Sequence, residues 1–303
     1  MVSMSDDFFD LSHLIFSARK IAMLPGSERT QRIRADRWIG YPKALVTLNR
    51  LETLLNWPSK QRMPNLLIVG PTNNGKSMII EKFRRTHPPT TELDLENIPV
   101  VSVQMPSEPS IKRFYSALLV AIGAPIRPRQ QVAELEQQAL NLLRAVKVKM
   151  LVIDELHNII AGKSSSQREF LNLLRFLGNE LRIPLVGIGT KEAYLAIRSD
   201  DQLENRFEPL VLPTWQEGNE LESLLASFVA ILPLRKPSFI ATSDMARYLL
   251  TRTEGTIGEL AQLLTCAAIA AIESGEESIN SRTLNLADYE GPTERRRAFE
   301  REL

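Results

Sequence analysis

The pattern of apolar and polar residues changes once along the chain, near Pro213. Before that point, short apolar runs bounded by proline, glycine or polar residues alternate with segments whose apolar residues recur at helical spacing. Continuous apolar runs are typical of strands that are buried on both faces of a parallel sheet. Strands are therefore expected at residues 65–69, 98–103, 150–153, 184–188 and 209–212.

Helical patterns separate these runs, at residues 42–57, 76–85, 111–122, 132–146, 167–181 and 191–198. After Pro213 only helical patterns remain, at residues 221–231, 244–253 and 257–274. Strands that alternate with helices indicate a parallel sheet flanked by helices. The predicted organisation is an N-terminal arm with short helices (1–41), an α/β core with a five-stranded sheet (42–213), a small helical domain (214–290) and a charged tail (291–303) that is either an exposed helix or disordered.

The composition is that of an ordinary globular protein, with 44% hydrophobic and 24% charged residues among 303. No apolar run approaches the roughly 18 residues that a membrane span needs, and the acidic start lacks the order of a signal peptide. The single cysteine, Cys266, lies in an apolar run and is expected to be packed in a core. A protein of the reducing cytoplasm, without a membrane partner, is the expectation.

A formal net charge of +1 means that any contact with nucleic acid must come from local patches. One basic stretch lies between residues 17 and 43, and another between residues 104 and 131. The second stretch carries the candidate DNA-binding residues Lys112, Arg113, Arg127 and Arg129. A solvated surface is the alternative interpretation of both stretches.

Residues 70–77 match the phosphate-binding pattern G-x-x-x-x-G-K-[ST] at every fixed position, between a predicted buried strand and a predicted helix. The backbone N–H groups of such a loop surround phosphates at the helix N-terminus. Lys76 would reach the β- and γ-phosphates of ATP, and the Ser77 hydroxyl would join the shell of Mg²⁺. The alternative is a glycine-rich turn with an incidental lysine. The candidate nucleotide-binding residues are Gly70, Pro71, Thr72, Asn73, Asn74, Gly75, Lys76 and Ser77.

A second acidic element follows the predicted strand at 150–153, where Asp154 and Glu155 stand side by side. Asp154 is suited to hold Mg²⁺, and Glu155 to orient and polarise the attacking water. Two adjacent acids at a strand end are costly unless a cation or solvent meets them. The pair favours hydrolysis of ATP over transfer of phosphate to a small acceptor.

Two weaker candidates follow the next two strands. Thr190 would sense the γ-phosphate, cap the helix that follows, or do both. Arg206 precedes the last strand, where ring-forming NTPases carry an arginine that reaches the γ-phosphate of a neighbouring subunit. Arg198 is a second candidate for that role, and a surface salt bridge of Arg206 with Glu204 or Glu208 is the alternative.

With these elements in this order, the chain resembles an AAA+ ATPase, and more narrowly the TniB/TnsC group of transposition regulators, which are relatives of the phage protein MuB. The narrower resemblance also involves the stretch Arg-Trp-Ile-Gly-Tyr-Pro-Lys at 37–43, Leu-Val-Ile-Asp-Glu-Leu-His at 151–157, Val-Gly-Ile-Gly-Thr at 186–190 and Asn-Arg-Phe at 205–207. It covers nearly the whole chain and implies a bacterial protein whose helical domain is a lid.

The resemblance implies a function that composition does not show. Proteins of this group form ATP-dependent hexameric rings or helical filaments on double-stranded DNA, mark the target site and recruit a DDE transposase of the TniA or TnsB kind, sometimes with a TniQ-like targeting protein. Hydrolysis then disassembles the filament. The segment before the core would help to hold adenine, here through Trp38, Ile39 and Tyr41, although Trp38 is also suited to packing.

One departure from the wider AAA+ pattern concerns the lid. Many AAA+ proteins carry a Gly-x-x-Arg arginine there, whereas this chain has Gly258 at the matching position. Slow hydrolysis, suited to a timed switch, is the expected consequence. Two other functions share the same catalytic residues: another DNA-handling AAA+ ATPase such as a helicase loader, and a nucleotide-gated signalling scaffold that does not bind DNA.

Overall fold

The computed structural model describes residues 9–35, 37–92, 95–127 and 129–302. The chain forms two compact units, one from Lys43 to Pro213 and one that combines the residues before Lys43 with those from Thr214 onward. The helices are α1 (Phe16–Ala22), α2 (Gly26–Ile33), α3 (Pro42–Leu55), α4 (Lys76–Thr86), α5 (Ile111–Ala121), α6 (Val132–Ala145), α7 (Ser164–Leu181), α8 (Lys191–Arg198), α9 (Asp201–Glu204), α10 (Asn219–Ile231), α11 (Ser243–Thr253), α12 (Ile257–Glu273), α13 (Ser281–Leu286) and α14 (Pro292–Glu302). The strands are β1 (Asn65–Val69), β2 (Thr90–Glu92), β3 (Leu95–Asn97), β4 (Val100–Gln104), β5 (Met150–Asp154), β6 (Leu185–Gly189) and β7 (Phe207–Val211).

The unit from Lys43 to Pro213 is built on a five-stranded sheet in the order β4-β5-β6-β1-β7, with every neighbouring pair parallel. Strands β1 and β6 lie inside the sheet and are buried along their whole length, because both faces are covered. Strand β7 lies at an edge, where Pro209 costs no ladder hydrogen bond on the open side. The predicted α/β fold with a parallel five-stranded sheet flanked by helices is confirmed.

The start of β1 is tied to both neighbouring strands by polar groups of Asn65. Its side-chain oxygen accepts from the Leu185 N–H at 3.0 Å, and its own N–H donates to the Arg206 carbonyl at 2.9 Å. On one side of the sheet α5 and α7 meet through Phe114 and Phe170, whose ring centroids lie 5.1 Å apart, edge to face. The Asn65 contacts join β1, β6 and β7, whose carboxyl ends meet at one edge because the strands are parallel.

Two features of this unit differ from the predicted pattern. Strands β2 and β3 form an antiparallel pair that the sequence analysis did not include, because its residues are mostly polar and show no apolar alternation. The second and the last of the predicted strands, at 98–103 and 209–212, also shift by about two residues: β4 covers Val100–Gln104, and β7 begins at Phe207. Edge strands are half exposed, so their apolar runs mark their ends poorly.

The second unit is helical, and the residues before Lys43 form part of it. Arg29 is 2% exposed and makes an ion pair with Glu277 at 2.6 Å, while Arg37 donates to the Ile231 carbonyl at 2.9 Å. Burial opposes ionisation of Glu277, but hydrogen bonds from Arg29 and the Arg235 N–H outweigh it and lower the pKa of Glu277. The N-terminal helices are therefore anchored to the C-terminal ones by buried polar contacts.

The tail of the chain forms helix α14, which is attached to the same unit. Arg295 pairs with Glu259 at 2.6 Å, and the Tyr289 hydroxyl donates to the other oxygen of Glu259 at 2.9 Å. Glu259 is 7% exposed and directly follows Gly258, the position where many AAA+ lids carry an arginine. The charged tail therefore forms a helix whose arginine neutralises a buried carboxylate.

Within the described residues, no single helix is both long enough and apolar enough to cross a membrane. A pair formed by Ser243–Thr253 and Ile257–Glu273 meets the length and composition criteria only when the two helices are taken together, and they are bent by 109°.

Candidate functional site

The loop between β1 and α4 has the backbone of a phosphate cradle. Gly75 immediately precedes α4 with φ 79°, and Asn73 has φ 58°, both in the left-handed region. Glycine adopts this conformation at little cost, which explains the second fixed glycine of the motif. The Asn74 side chain is 3% exposed and donates to the carbonyls of Leu212 and Pro213, each at 2.9 Å. This side chain anchors the loop and leaves the backbone to face a ligand.

Lys76 is the cation of this loop and is only 9% exposed. Its ammonium donates to the carbonyls of Gly70 at 2.8 Å and Pro71 at 2.6 Å. Burial lowers the pKa of Lys76, and the negative charges of Asp154 and Glu155 act in the opposite direction. A buried ammonium at the N-terminus of a helix fits a polyanion such as a triphosphate.

The acidic strand end lies directly against the loop. The Ser77 hydroxyl donates to Asp154 Oδ2 at 2.7 Å, and the other carboxylate oxygen accepts from the Glu155 N–H at 2.8 Å. A hydroxyl and a carboxylate in contact are the hard oxygen ligands that Mg²⁺ prefers. The residues that the sequence analysis assigned to Mg²⁺ are therefore adjacent, and they fit that ion.

Strand β6 lies between the loop strand β1 and the acidic strand β5. The Gly70 N–H donates to the Gly189 carbonyl at 3.1 Å, so Thr190 follows at the same edge of the sheet. Thr190 occupies the N-cap position of α8, and its hydroxyl donates to the Glu192 carboxylate. This hydrogen bond lowers the pKa of Glu192. Loop, acidic pair and threonine thus converge on one edge of the sheet.

Arg206 lies at the amino ends of the strands, opposite the end where the phosphate loop lies. Its carbonyl accepts from the N–H of Asn65, the first residue of β1, whereas the phosphate loop follows the last. A five-residue strand spans roughly 16 Å, which is too far for Arg206 to reach the loop of its own chain. Its guanidinium donates to Asn179 at 2.9 Å. The salt bridges considered for Arg206 are made by other arginines: Arg198 pairs with Glu204, and Arg50 with Glu208.

The four basic candidates lie at two ends of α5 rather than in one cluster. Lys112 and Arg113 are exposed in its first turn, and Arg127 and Arg129 are exposed beyond its last turn. A helix of this length separates its ends by about 16 Å. The two pairs are therefore distinct surfaces.

The proposed adenine segment belongs to the helical unit. Trp38 and Ile39 are half-buried, and Tyr41 is 6% exposed. The Tyr41 ring packs edge to face on Trp215, with centroids 5.2 Å apart, and burial raises the pKa of Tyr41 to about 12. Tyr41 thus has a packing role in its own unit, and the role of these three residues towards adenine stays a prediction.

His157 follows the acidic pair in the sequence, where a capping or supporting role is expected for it, and the structure shows which residue it contacts. His157 Nε2 lies 3.0 Å from Glu155 Oε2. The only signal of this contact in the sequence is that His157 stands two residues after Glu155. Such a spacing indicates a contact only when the backbone turns sharply. Glu155 has φ 55° and ψ 35°, and a 3₁₀ helix (Leu156–Ala161) follows it.

The fold and this edge define a P-loop NTPase with the AAA+ fold. The family model described as bacterial TniB protein matches residues 29–217, and the chain belongs to this family. The resemblance stated from the motifs is thereby confirmed. No curated protein matches the chain.

Solved structures with the same fold include archaeal ORC and Cdc6 proteins. The Aeropyrum pernix ORC1 protein in complex with DNA is 16% identical, with a TM-score of 0.60 over 85% of this chain and 68% of that one. Cdc6p from Pyrobaculum aerophilum is 16% identical, with a TM-score of 0.57 over 82% and 68%. The Aeropyrum pernix ORC2 protein, in ADPNP–ADP complexes, is 15% identical, with a TM-score of 0.56 over 84% and 70%. At such identities the likeness concerns the fold.

Proposed function

We propose that this chain is a Mg²⁺-dependent ATPase of DNA transposition. In its ATP-bound form it assembles on double-stranded target DNA as a ring or filament and recruits a DDE transposase, with a TniQ-like protein as a further candidate partner. Hydrolysis ends the assembly. The observation that carries the ATPase part is the contact between Ser77 and Asp154, which joins the phosphate loop to the acidic strand end.

Each residue of the site has a role in this proposal. Bound Mg²⁺–ATP supplies the γ-phosphoryl group that is transferred to water. Lys76 neutralises phosphate charge, and Ser77 and Asp154 hold the metal ion. Glu155 orients the water and takes its proton, while Thr190 senses the γ-phosphate. Arg206 acts on the nucleotide of a neighbouring copy, a role that suits its position at the end of the strands away from the phosphate loop.

The DNA part of the proposal is supported by the TniB family and by a protein of the same fold whose structure was solved in complex with DNA. Lys112 and Arg113, with Arg127 and Arg129, are the residues proposed to contact phosphates. A repeating assembly would multiply a few charges per subunit into a continuous basic track.

The decisive variant is Glu155→Gln, which keeps the shape of the side chain and removes its basicity. We expect it to bind ATP with unchanged affinity, to hydrolyse ATP at least about 100-fold more slowly, and to leave long-lived assemblies on duplex DNA. Turnover is measured by phosphate release, and assemblies by electron microscopy with and without DNA. The control is Glu96→Gln, an exposed glutamate on β3.

The same experiment separates the other candidate functions. Closed rings that form without DNA would favour a nucleotide-gated scaffold. Binding of the protein to a replicative helicase, measured separately, would favour a helicase loader. Wild-type turnover that Glu155→Gln leaves unchanged would contradict the assignment of the catalytic base.

A further inference from the structure

A histidine and a glutamate form a close pair just after the acidic strand. Glu155 adopts the left-handed backbone conformation, which is uncommon outside glycine and directs the chain into the 3₁₀ helix that contains His157. Because of this turn, His157 Nε2 lies 3.0 Å from Glu155 Oε2. The carboxylate keeps a second oxygen, and its side chain is 39% exposed.

The His157 ring is held from its other side by packing. Its Nδ1 is buried and has no hydrogen-bond partner among the described residues. A Cβ added at Gly189 would lie 3.2 Å from the His157 backbone nitrogen, 3.4 Å from its Nδ1 and 2.6 Å from the Ala193 Cβ. The end of β6 therefore tightly confines the ring. The other ring nitrogen, Nε2, faces Glu155 Oε2 at 3.0 Å. The ring therefore meets Glu155 from a confined position.

A second carboxylate lies near the same ring. Glu192 accepts from the Thr190 hydroxyl, and this hydrogen bond is the largest cause of its lowered pKa, to which the charge of nearby His157 also contributes. His157 thus stands between the glutamate proposed to orient water and the carboxylate that holds the proposed γ-phosphate sensor.

We propose that His157 is a positioning residue for hydrolysis: its Nε2–H fixes one oxygen of Glu155 and leaves the other to hold the attacking water. The inference rests on the proposed ATPase function. Fixing a glutamate side chain in one rotamer costs considerable conformational entropy. A contact that fixes Glu155 before ATP reacts therefore favours the reactive geometry. His157 acts through Glu155 and not on the nucleotide.

The test uses the full chain with saturating duplex DNA and the variants His157→Ala and His157→Gln. We expect His157→Ala to lower kcat by about 10- to 100-fold, with KM changed by less than about threefold. His157→Gln, whose amide can donate to Glu155, is expected to stay within about fivefold of wild type. In the Glu155→Gln background, His157→Ala is expected to have no further effect, because the group that it positions is gone.

The chain offers a matched control in a second histidine–glutamate pair. His87 Nε2 lies 3.0 Å from Glu52 Oε2, in the same unit but away from the site, so His87→Ala is expected to keep kcat. An unchanged or raised kcat in His157→Ala would overturn the inference, as would equal losses in His157→Ala and His157→Gln. Turnover that Glu155→Gln abolishes establishes the ATPase function separately, and absence of wild-type turnover would overturn both proposals.

Discussion

The Ser77 hydroxyl donates to Asp154 Oδ2 at 2.7 Å, joining two residues that are 77 positions apart in the chain. The contact exists because β1 and β5 both run towards the same edge of the sheet, with β6 between them. Two oxygen groups that meet in this way are suited to share one Mg²⁺ ion.

The first prediction concerns this metal site. Ser77→Ala or Asp154→Asn is expected to make ATP affinity independent of Mg²⁺, because each change removes one of the two oxygen groups that would hold the ion. Wild-type affinity is expected to fall when Mg²⁺ is chelated with EDTA. Binding of a fluorescent ATP analogue, with and without Mg²⁺, measures the difference. Ser110→Ala, at the N-terminus of α5, is the control. Variants that keep the full response to EDTA would contradict the assignment.

The second prediction concerns Arg206, at the end of the strands away from the phosphate loop. Arg206→Ala is expected to bind ATP normally and to lose hydrolysis by about 10³-fold, because its guanidinium would act on a neighbour's nucleotide. Lys76→Ala is expected to lose ATP binding itself. A mixture of the two variants should recover part of the wild-type activity, since a Lys76-containing site can then meet an Arg206-containing neighbour.

The matched control for this experiment is Arg198→Ala, which breaks an exposed pair with Glu204. It is expected to hydrolyse ATP at nearly the wild-type rate. Loss of hydrolysis in Arg198→Ala, with recovery when it is mixed with Lys76→Ala, would transfer the role to Arg198. No recovery in either mixture would argue against catalysis in trans.

The sequence predicted the interior strands better than the edge strands, and the reason is burial. Strands β1, β5 and β6 are apolar because both faces are covered, so their runs stand out. The polar pair β2 and β3 carries no such signal. In the site, the motif already implied that Ser77 and Asp154 meet. The contact of His157 with Glu155 depends on the left-handed backbone conformation of Glu155, which no side-chain pattern predicts.

The position of Arg206 shows a related limit. Its place before β7 could be read from the sequence, but its distance from the loop depends on strand direction and order. Likewise, the four basic residues around α5 lie near one another in the sequence, but the length of the helix separates the two pairs in space. Proximity in sequence indicates proximity in space only within one or two helical turns.

The third prediction concerns DNA contacts, and the separation of the two basic pairs sharpens it. Lys112→Glu with Arg113→Glu, and separately Arg127→Glu with Arg129→Glu, are each expected to reduce the slope of log affinity against log salt by about 2. Since the pairs lie at opposite ends of α5, the effects should add in the fourfold variant. Fluorescence anisotropy of labelled duplex DNA at several salt concentrations measures the slope.

Two exposed lysines between α6 and β5 provide the control, Lys147→Glu with Lys149→Glu. This pair makes the same change in net charge and is expected to alter the slope little. If the control lowers the slope as much as either test pair, the effect is one of overall charge and not of a DNA-binding surface. If one test pair has no effect, that pair lies outside the surface.

The last prediction concerns the buried ion pair of the helical unit. Arg29→Met is expected to lower the free energy of unfolding by about 3–5 kcal/mol, because it leaves the Glu277 carboxylate largely buried without its main partner. Arg282→Met breaks the exposed pair with Glu276 next to it and should cost less than about 1 kcal/mol. Urea unfolding of the full chain, followed by circular dichroism, measures both changes.

The pH dependence gives an independent check on the same pair. The pKa of Glu277 is lowered below its ordinary value of 4.5, so its contribution to stability is present above that value and is lost as the pH falls through the lowered pKa. Wild-type stability should therefore drop more steeply on acidification below about pH 4.5 than that of Arg29→Met. Parallel pH profiles, or equal losses for Arg29→Met and Arg282→Met, would show that the buried pair does not anchor the N-terminal helices.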